Sequence, residues 1–280
     1  MPRPKDLDPF SSPRALIGKE LRHLREAAGH SQDSLGELLF VSGSFIGQLE
    51  LGIRRIQPEM AVRLDEILGT NGFFVRNCGA PSKSKYPDHF AEAAEAEAIA
   101  VAIKEYAPQL IPGLLQTEAY ARAVFRGGRP TATEDAIDHL TQVRLERAQV
   151  LDDPTRPVFW TVLDEAVLRC QVGGPAVMAE ALRHVAQFAR RHRIIVQVVP
   201  FSTGAHMASE GALKLMAFDD APPLAYLQAL GTGRLEDDPA TVKHYELSYD
   251  LLGASALSPK ESLALIESVA EDYAHEDRNS

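Results

Sequence analysis

The sequence predicts a multidomain protein, in which an all-α N-terminal domain is followed by an α+β domain with a small mixed sheet. Short segments with apolar residues every three to four positions fill about the first 70 residues, and Ser, Gly or Pro bounds each of them. A stretch rich in Gly, Pro and Ser follows, and beyond it β-branched runs alternate with further helical segments. At 280 residues the chain is long enough for two domains.

The bulk composition argues against several classes of protein. No apolar run reaches the roughly 18 residues that a membrane helix needs. The charged start of the chain precedes no apolar segment, so no secretory signal is expected. Cys78 and Cys170 lie far apart, which favours a reduced protein and offers no paired zinc ligands. We therefore expect a cytoplasmic protein with no membrane contact, no metal and no cofactor.

The net charge of −10 is distributed unevenly along the chain. Residues 1–80 contain ten basic and ten acidic side chains, so the whole acidic excess lies in residues 81–280. A neutral domain can bind nucleic acid where its basic groups cluster on one face. The acidic remainder is a poor nucleic-acid surface.

The composition also predicts where the domains begin and end. Pro, Asp and Ser are frequent at the N-terminus, and Gly79, Pro81, Ser82 and Ser84 favour a loop between the two domains. The predicted parts are a mobile arm over 1–12, a helical domain over 13–77, a linker over 78–88, an α+β domain over 89–275 and a tail over 276–280.

The helical domain has clear start and stop signals. Its first helix carries apolar residues at i, i+4, i+7 and i+11 and stops at Gly29. Ser31 and Ser42 are placed as the N-caps of the second and third helices, and Pro58 as the first residue of a fourth. The predicted helices cover residues 13–28, 31–39, 42–50 and 58–68.

The second domain mixes the two periodicities. Strands are expected over 158–163, 194–199, 212–218 and 224–230, and helices over 133–151, 175–192, 239–252 and 259–273. A strand, a helix and a second strand in succession predict that strands 158–163 and 194–199 are parallel. The segment 219–223 predicts a hairpin-like connection between the last two strands.

Residues 30–52 form the pattern of a helix-turn-helix, in which a tight turn joins two short capped helices. Small and amide side chains on the outer face of the second of these helices would let its backbone approach a DNA groove closely. Gln can pair with adenine, Ser can donate or accept, and Phe can touch a thymine methyl group. The predicted outer face of this helix consists of Gly43, Ser44, Gly47 and Gln48, with Phe45 beside them.

This segment resembles the xenobiotic-response-element (Cro/lambda-repressor-like) helix-turn-helix family. The resemblance covers residues 14–70 and is carried by Ser31-Gln32, Leu35, Leu39, Val41-Ser42, Ile46 and Gln48-Leu49-Glu50-x-Gly52. It implies that Gln32 contacts a phosphate or a base edge, that base contacts come from Ser42, Gly43, Ser44 and Gln48, and that Arg54 and Arg55 hold phosphates. It also implies a structural ion pair between Arg25 and Glu50.

Two positions depart from that family's pattern. Gly36 stands where Ala is common, and Phe40 stands where Gly often turns the chain. Two alternatives stay open for the named residues. The segment could be an ordinary capped helical bundle, and Arg54 and Arg55 could be a solvated pair.

The second domain resembles a C-terminal domain of unknown function that follows this helix-turn-helix type in many actinobacterial regulators. The matching segments are 105–122, Arg144-x-x-Arg147, 163–169 and Val198-x-Pro200-Phe201. The resemblance implies a transcription factor of the paired, antitoxin-like kind, encoded beside a small partner protein. It implies no biochemical activity for the domain.

The sequence therefore predicts a sequence-specific regulator of transcription that binds double-stranded DNA, as a homodimer because DNA half-sites are commonly paired. A small protein partner or self-association would act through the second domain. A ligand-sensing domain and an antitoxin-like interaction protein are the alternatives. Asp164, Glu165, His206 and Glu210 offer acid–base groups, but no nucleophile, phosphate-loop or metal motif accompanies them, so no enzyme is expected.

Overall fold

A computed structural model describes residues 13–78, 85–153, 155, 157–191 and 194–279. The predicted arm (1–12) and most of the predicted linker (79–84) lie outside these residues. The described helices are α1 Pro13–Ala27, α2 Gln32–Leu39, α3 Gly43–Glu50, α4 Pro58–Leu68, α5 Phe73–Asn77, α6 Asp88–Glu97, α7 Glu118–Gly128, α8 Glu134–Ala148, α9 Glu165–Arg169, α10 Pro175–Ala189, α11 Pro239–Ser255 and α12 Pro259–Asn279. The last helix therefore continues through residues 276–279, which the sequence assigned to a tail.

The helices of the N-terminal part begin and end where their caps predict. The Ser31 hydroxyl accepts the backbone N–H of Ser34, and the Ser42 hydroxyl accepts that of Phe45, each at 3.0 Å. Both serines thereby satisfy an amide that the first helical turn leaves without a partner. The apolar faces of the helices meet in one core, whose fully or nearly fully buried members are Leu21, Leu35, Leu39, Ile46, Leu49, Ile56, Ala61, Leu64 and Phe74.

The turn between α2 and α3 forms although it lacks the glycine that is common there. Phe40 takes a left-handed backbone conformation, with φ of 59°, and its amide bonds back to the end of α2. Its ring is 85% exposed, and the Arg63 guanidinium lies 4.9 Å from the ring centre. The motif thus keeps its turn geometry, although a residue with a side chain is sterically disfavoured in the left-handed region.

Asp65 joins the last two helices of this part. Its carboxylate accepts the backbone N–H groups of Phe74 and Val75, each at 2.9 Å, and the Thr70 hydroxyl. Burial by itself raises the pKa of Asp65, but these hydrogen bonds outweigh burial and hold that pKa below its ordinary value. The carboxylate therefore caps α5 in its charged form.

Asp65→Asn should destabilise α5 by about 1–2 kcal/mol at neutral pH, because the amide accepts fewer hydrogen bonds and carries no charge. A group whose folded pKa is depressed stabilises above its unfolded pKa, and this contribution is lost as the pH falls through the folded value. The difference between wild type and variant should therefore shrink below the ordinary aspartate pKa of about 3.9.

Amide hydrogen exchange of Phe74 and Val75 at neutral and acid pH measures this effect. Glu66→Gln is the matched control, because it changes an exposed carboxylate on α4, the helix that carries Asp65. It should leave the exchange of Phe74 and Val75 unchanged. A difference between wild type and Asp65→Asn that stays constant over the whole pH range would contradict the role of the charge.

Six strands form one mixed sheet in the order β3-β2-β1-β4-β5-β6. They are β1 Ala102–Ala107, β2 Val158–Asp164, β3 Ile194–Val199, β4 Ala212–Ala217, β5 Leu224–Ala229 and β6 Thr232–Glu236. The predicted parallel pairing of β2 with β3 is confirmed, with Phe159 opposite Ile194, and β1 pairs with β2 in parallel as well. The two strands of the predicted hairpin, β4 and β5, are neighbours.

Two strands were not predicted from the sequence. In β1 the charged residues Lys104 and Glu105 interrupt the apolar run, and β6 is five residues long and contains Gly233. Neither has the β-branched residues that mark β2 and β3. Both are strands because a neighbour satisfies their backbone groups, which is a property of the fold and not of the local sequence.

The described chain divides into two compact units. The first holds residues up to 100 together with 216–226 and 231–243, and the second holds 101–215, 227–230 and the residues from 244 onwards. Helix α6 and the segment after β6 therefore belong to the same unit as the helix-turn-helix. In the second unit α10 packs on α12, and α12 packs on β3.

Candidate nucleic-acid interface

Helix α3 is held by close backbone packing on α1. Gly18 of α1 lies so near the end of α3 that a β-carbon on it would stand 2.5 Å from the Glu50 carbonyl oxygen and 2.6 Å from that of Leu49. On the inner face of α3, Ile46 and Leu49 are buried in the core. The position of α3 is therefore fixed both by apolar packing and by a glycine contact.

Arg25 and Glu50 form an ion pair beneath α3. The Arg25 Nε donates to one Glu50 oxygen, and its Nη2 lies 3.2 Å from the other, with both side chains buried. Arg25 also donates to the His30 carbonyl oxygen, and Gln32 donates its amide N–H to Glu50 at 2.8 Å. Hydrogen bonding to Glu50 raises the pKa of Arg25 above its ordinary value.

This network decides the position of Gln32. The sequence resemblance implied that Gln32 contacts a phosphate or a base edge, and the residue is exposed at the start of α2. Its amide nitrogen is bonded to Glu50, and its amide oxygen would lie 3.3 Å from a β-carbon on Gly47. The amide thus connects the first turn of α2 to the buried ion pair.

The predicted readout residues of α3 differ in their contacts and in their exposure. Ser42 uses its hydroxyl as the helix cap, and a β-carbon on Gly43 would collide with the Asp33 side chain. Phe45 is half-buried, and the guanidinium of Arg54 stacks over its ring at 4.4 Å. None of these three is fully open to solvent.

Ser44 and Gln48 lie one helical turn apart on α3. Gln48 has 0% exposure, and neither of its amide atoms has a hydrogen-bond partner among the described residues. The Ser44 hydroxyl is buried as well, with no hydrogen-bond partner in the described part of the chain. In this conformation the Ser44 hydroxyl and the Gln48 amide, which could bond to base edges, are therefore withdrawn from solvent.

Arg54 and Arg55, the predicted phosphate contacts, are engaged by carboxylates. Arg54 lies 3.0 Å from Glu92 on α6 and 3.3 Å from Asp237. Arg55 lies 2.8 Å from Glu95 on α6. All five residues belong to the first compact unit. Burial raises the pKa of Asp237, while the charge of Arg54 opposes that rise.

The carboxylates that face these arginines were not singled out from the sequence. Glu92 and Glu95 are three positions apart in an Ala/Glu-rich segment, which places them on one face of a helix. That spacing was a readable signal for an acidic face. Asp237 gave no such signal, because it is brought to Arg54 across 183 positions of the chain.

Three of the four acid–base groups considered in the second domain, Asp164, Glu165 and His206, have structural partners, whereas Glu210 is exposed. Asp164 accepts the Ala166 amide at 2.8 Å as the cap of α9, and Glu165 accepts the Phe201 amide at 3.0 Å. The Tyr106 hydroxyl lies 3.3 Å from both Asp164 and His206. Burial, with the Asp164 charge, raises the pKa of Tyr106 above its ordinary value.

Among the described helices, none combines the length and the apolar character that crossing a bilayer requires. Residues 16–72 match the family model of a helix-turn-helix domain, which indicates a DNA-binding regulator. Comparison with curated proteins and with solved structures gave no match. Residues 90–268, more than half of the chain, match the model of a domain of unknown function (DUF5753). The chain therefore belongs to the DUF5753 family and carries a helix-turn-helix domain ahead of that family's domain.

Proposed function

We propose that this protein is a sequence-specific regulator of transcription, of the xenobiotic-response-element type, that reads the major groove of double-stranded DNA with α3. The observation that carries the proposal is the pair of serine-capped helices within the matched helix-turn-helix domain, where Glu50 of α3 pairs with Arg25 of α1 and accepts the Gln32 amide of α2. Such a pair presents the first turn of its second helix to base edges. Ser42, Gly43, Ser44, Phe45 and Gln48 are the proposed reading residues, with Gln32 beside them.

Selection from a library of random DNA duplexes by the full-length protein tests this function. A mobility shift with the selected duplex should survive competition by unrelated DNA. Absence of a shift at low salt, for the selected duplex and for DNA from the protein's own promoter, would overturn the proposal. The expected location in the cytoplasm stays a prediction from the sequence.

Arg54 and Arg55 are proposed to hold phosphates once DNA is bound. Replacing both with alanine should flatten the dependence of log affinity on log salt by about 0.9 per lost phosphate contact. The order of preference among duplex sequences should stay the same, because phosphate contacts carry no base information.

The control for this prediction is Arg22→Ala with Arg76→Ala, which removes the same charge from α1 and α5. Titrations of both double variants at several salt concentrations give the two slopes. A slope for Arg54→Ala/Arg55→Ala equal to that of the wild type would contradict the assignment.

We propose further that the protein acts by binding and not by catalysis. The second domain would regulate in one of two ways: by self-association as a homodimer, or by binding a small protein partner encoded nearby, as in antitoxin-like pairs. The structural partners of Asp164, Glu165 and His206 support a non-catalytic role. Co-expression with neighbouring small reading frames and measurement of mass in solution test the two modes. Stabilisation by a small molecule in a thermal-shift screen would favour a ligand sensor instead.

A further inference from the structure

The guanidinium of Arg54 has carboxylates on two sides. Its Nε and Nη2 donate to the same Glu92 oxygen, at 3.3 and 3.0 Å, and its Nη1 donates to Asp237 at 3.3 Å. The Arg54 side chain is only 13% exposed. Carboxylate and phosphate are the two groups that the planar guanidinium fork binds best. Arg54 thus already holds in this conformation the kind of group that it would hold on DNA.

The same acidic surface engages the rest of the loop after α3. Arg55 donates to Glu95 at 2.8 Å, and Gln57 donates to the second oxygen of Glu92 at 3.0 Å. Three donors of one short loop therefore meet two carboxylates that lie about one turn apart on α6. We call Glu92, Glu95 and Asp237 the acidic cluster.

The readout face of α3 supplies an independent observation. The Ser44 hydroxyl and both polar atoms of the Gln48 amide are buried without partners among the described residues. Leaving a buried polar group unpaired is unfavourable by about 1–3 kcal/mol. The described conformation of α3 therefore carries a free-energy cost. Exposing α3 would relieve this cost and free the same groups for base edges.

We propose that the acidic cluster is an intramolecular competitor for DNA, which holds Arg54 and Arg55 in the place of phosphates until DNA displaces it. This inference rests on the proposed function. Arg54 and Arg55 lie in the matched helix-turn-helix domain, whereas the acidic cluster lies within the residues that match the DUF5753 model. A change in the position of α6 or of Asp237 would thereby be passed to the DNA-binding loop, which gives the family's domain a physical means of control.

A double-mutant cycle on the full-length protein tests the competition. Its four members are the wild type, Glu92→Gln/Glu95→Gln/Asp237→Asn, Arg54→Ala/Arg55→Ala, and the combination of all five changes. The triple variant should bind the selected duplex about tenfold more tightly than the wild type, within the range known for coupled binding sites. Loss of the arginines should weaken DNA binding more in the triple variant than in the wild type, since only there are they released from the acidic cluster beforehand.

Removing three negative charges also favours DNA binding without any competition. The variant Glu37→Gln/Glu59→Gln/Glu66→Gln removes the same charge from exposed positions of α2 and α4 and measures that general effect. Equal gains in the two triple variants, or an equal arginine effect in both backgrounds, would overturn the inference and leave the proposed function standing. Absence of DNA binding in all members would overturn both.

A second measurement needs no substitution and therefore does not depend on whether a variant folds. In the wild-type protein, saturation with the selected duplex should increase amide hydrogen exchange in α6, because its carboxylates lose their partners. Exchange in the core of α1–α5 should decrease or stay the same. Unchanged or slower exchange in α6 on DNA binding would overturn the inference.

Discussion

Replacing Glu50 with alanine should destabilise α1–α5 by about 3–5 kcal/mol, because it leaves the charge of Arg25 buried without its partner. Among the described residues, Arg25 would keep the His30 carbonyl oxygen and the exposed carboxylate of Glu26. Gln32 would lose its acceptor in the same step. The free energy of opening of α1–α5, measured by amide hydrogen exchange, reports the loss.

The matched variant is Arg25→Met with Glu50→Leu, which removes both charges and keeps apolar volume. Replacing a complete buried ion pair by apolar side chains is commonly close to neutral. The double variant should therefore be more stable than Glu50→Ala alone. If the double variant loses as much stability as Glu50→Ala or more, the cost lies in packing and hydrogen bonding at this site and not in the unpaired charge.

Gly18→Ala should destabilise the same helices by about 1–3 kcal/mol, although alanine is the better helix former by about 1 kcal/mol. The new β-carbon would stand 2.5 and 2.6 Å from two backbone oxygens at the end of α3. Backbone atoms cannot rotate away as a side chain can, so α1 and α3 must separate. Because Glu50 is one of the two residues contacted, the buried ion pair should weaken as well.

Gly127→Ala on α7 is the control, because nothing lies within 4 Å of a β-carbon built there. Helix propensity alone should make that variant neutral, or more stable by up to about 1 kcal/mol. Amide hydrogen exchange in α1–α3 and in α7 compares the two. A stabilised Gly18→Ala protein would show that the two helices can adjust without cost.

The sequence predicted the N-terminal helices closely, because their signals are local. The caps Ser31 and Ser42, the stop at Gly29 and the start at Pro58 each act within one turn of the residue concerned. The helix 58–68 was predicted with the bounds it has, and so was the strand 194–199. Strand β1 could not be recognised in this way, since its neighbours β2 and β4 are distant in the chain. Strand β6 follows its neighbour β5 directly, but its five residues contain no apolar run that would mark a strand.

In the candidate site, too, local features could be predicted and long-range contacts could not. By itself the sequence determined the capped helix pair, the inner positions Ile46 and Leu49, and which side chains α3 could offer to a base edge. Only the tertiary structure decided that Gln48 is buried and that Arg54 is held by Glu92 and Asp237. The reason is physical: caps and periodicity act over a few residues, whereas burial and charge pairing depend on what the rest of the chain places alongside.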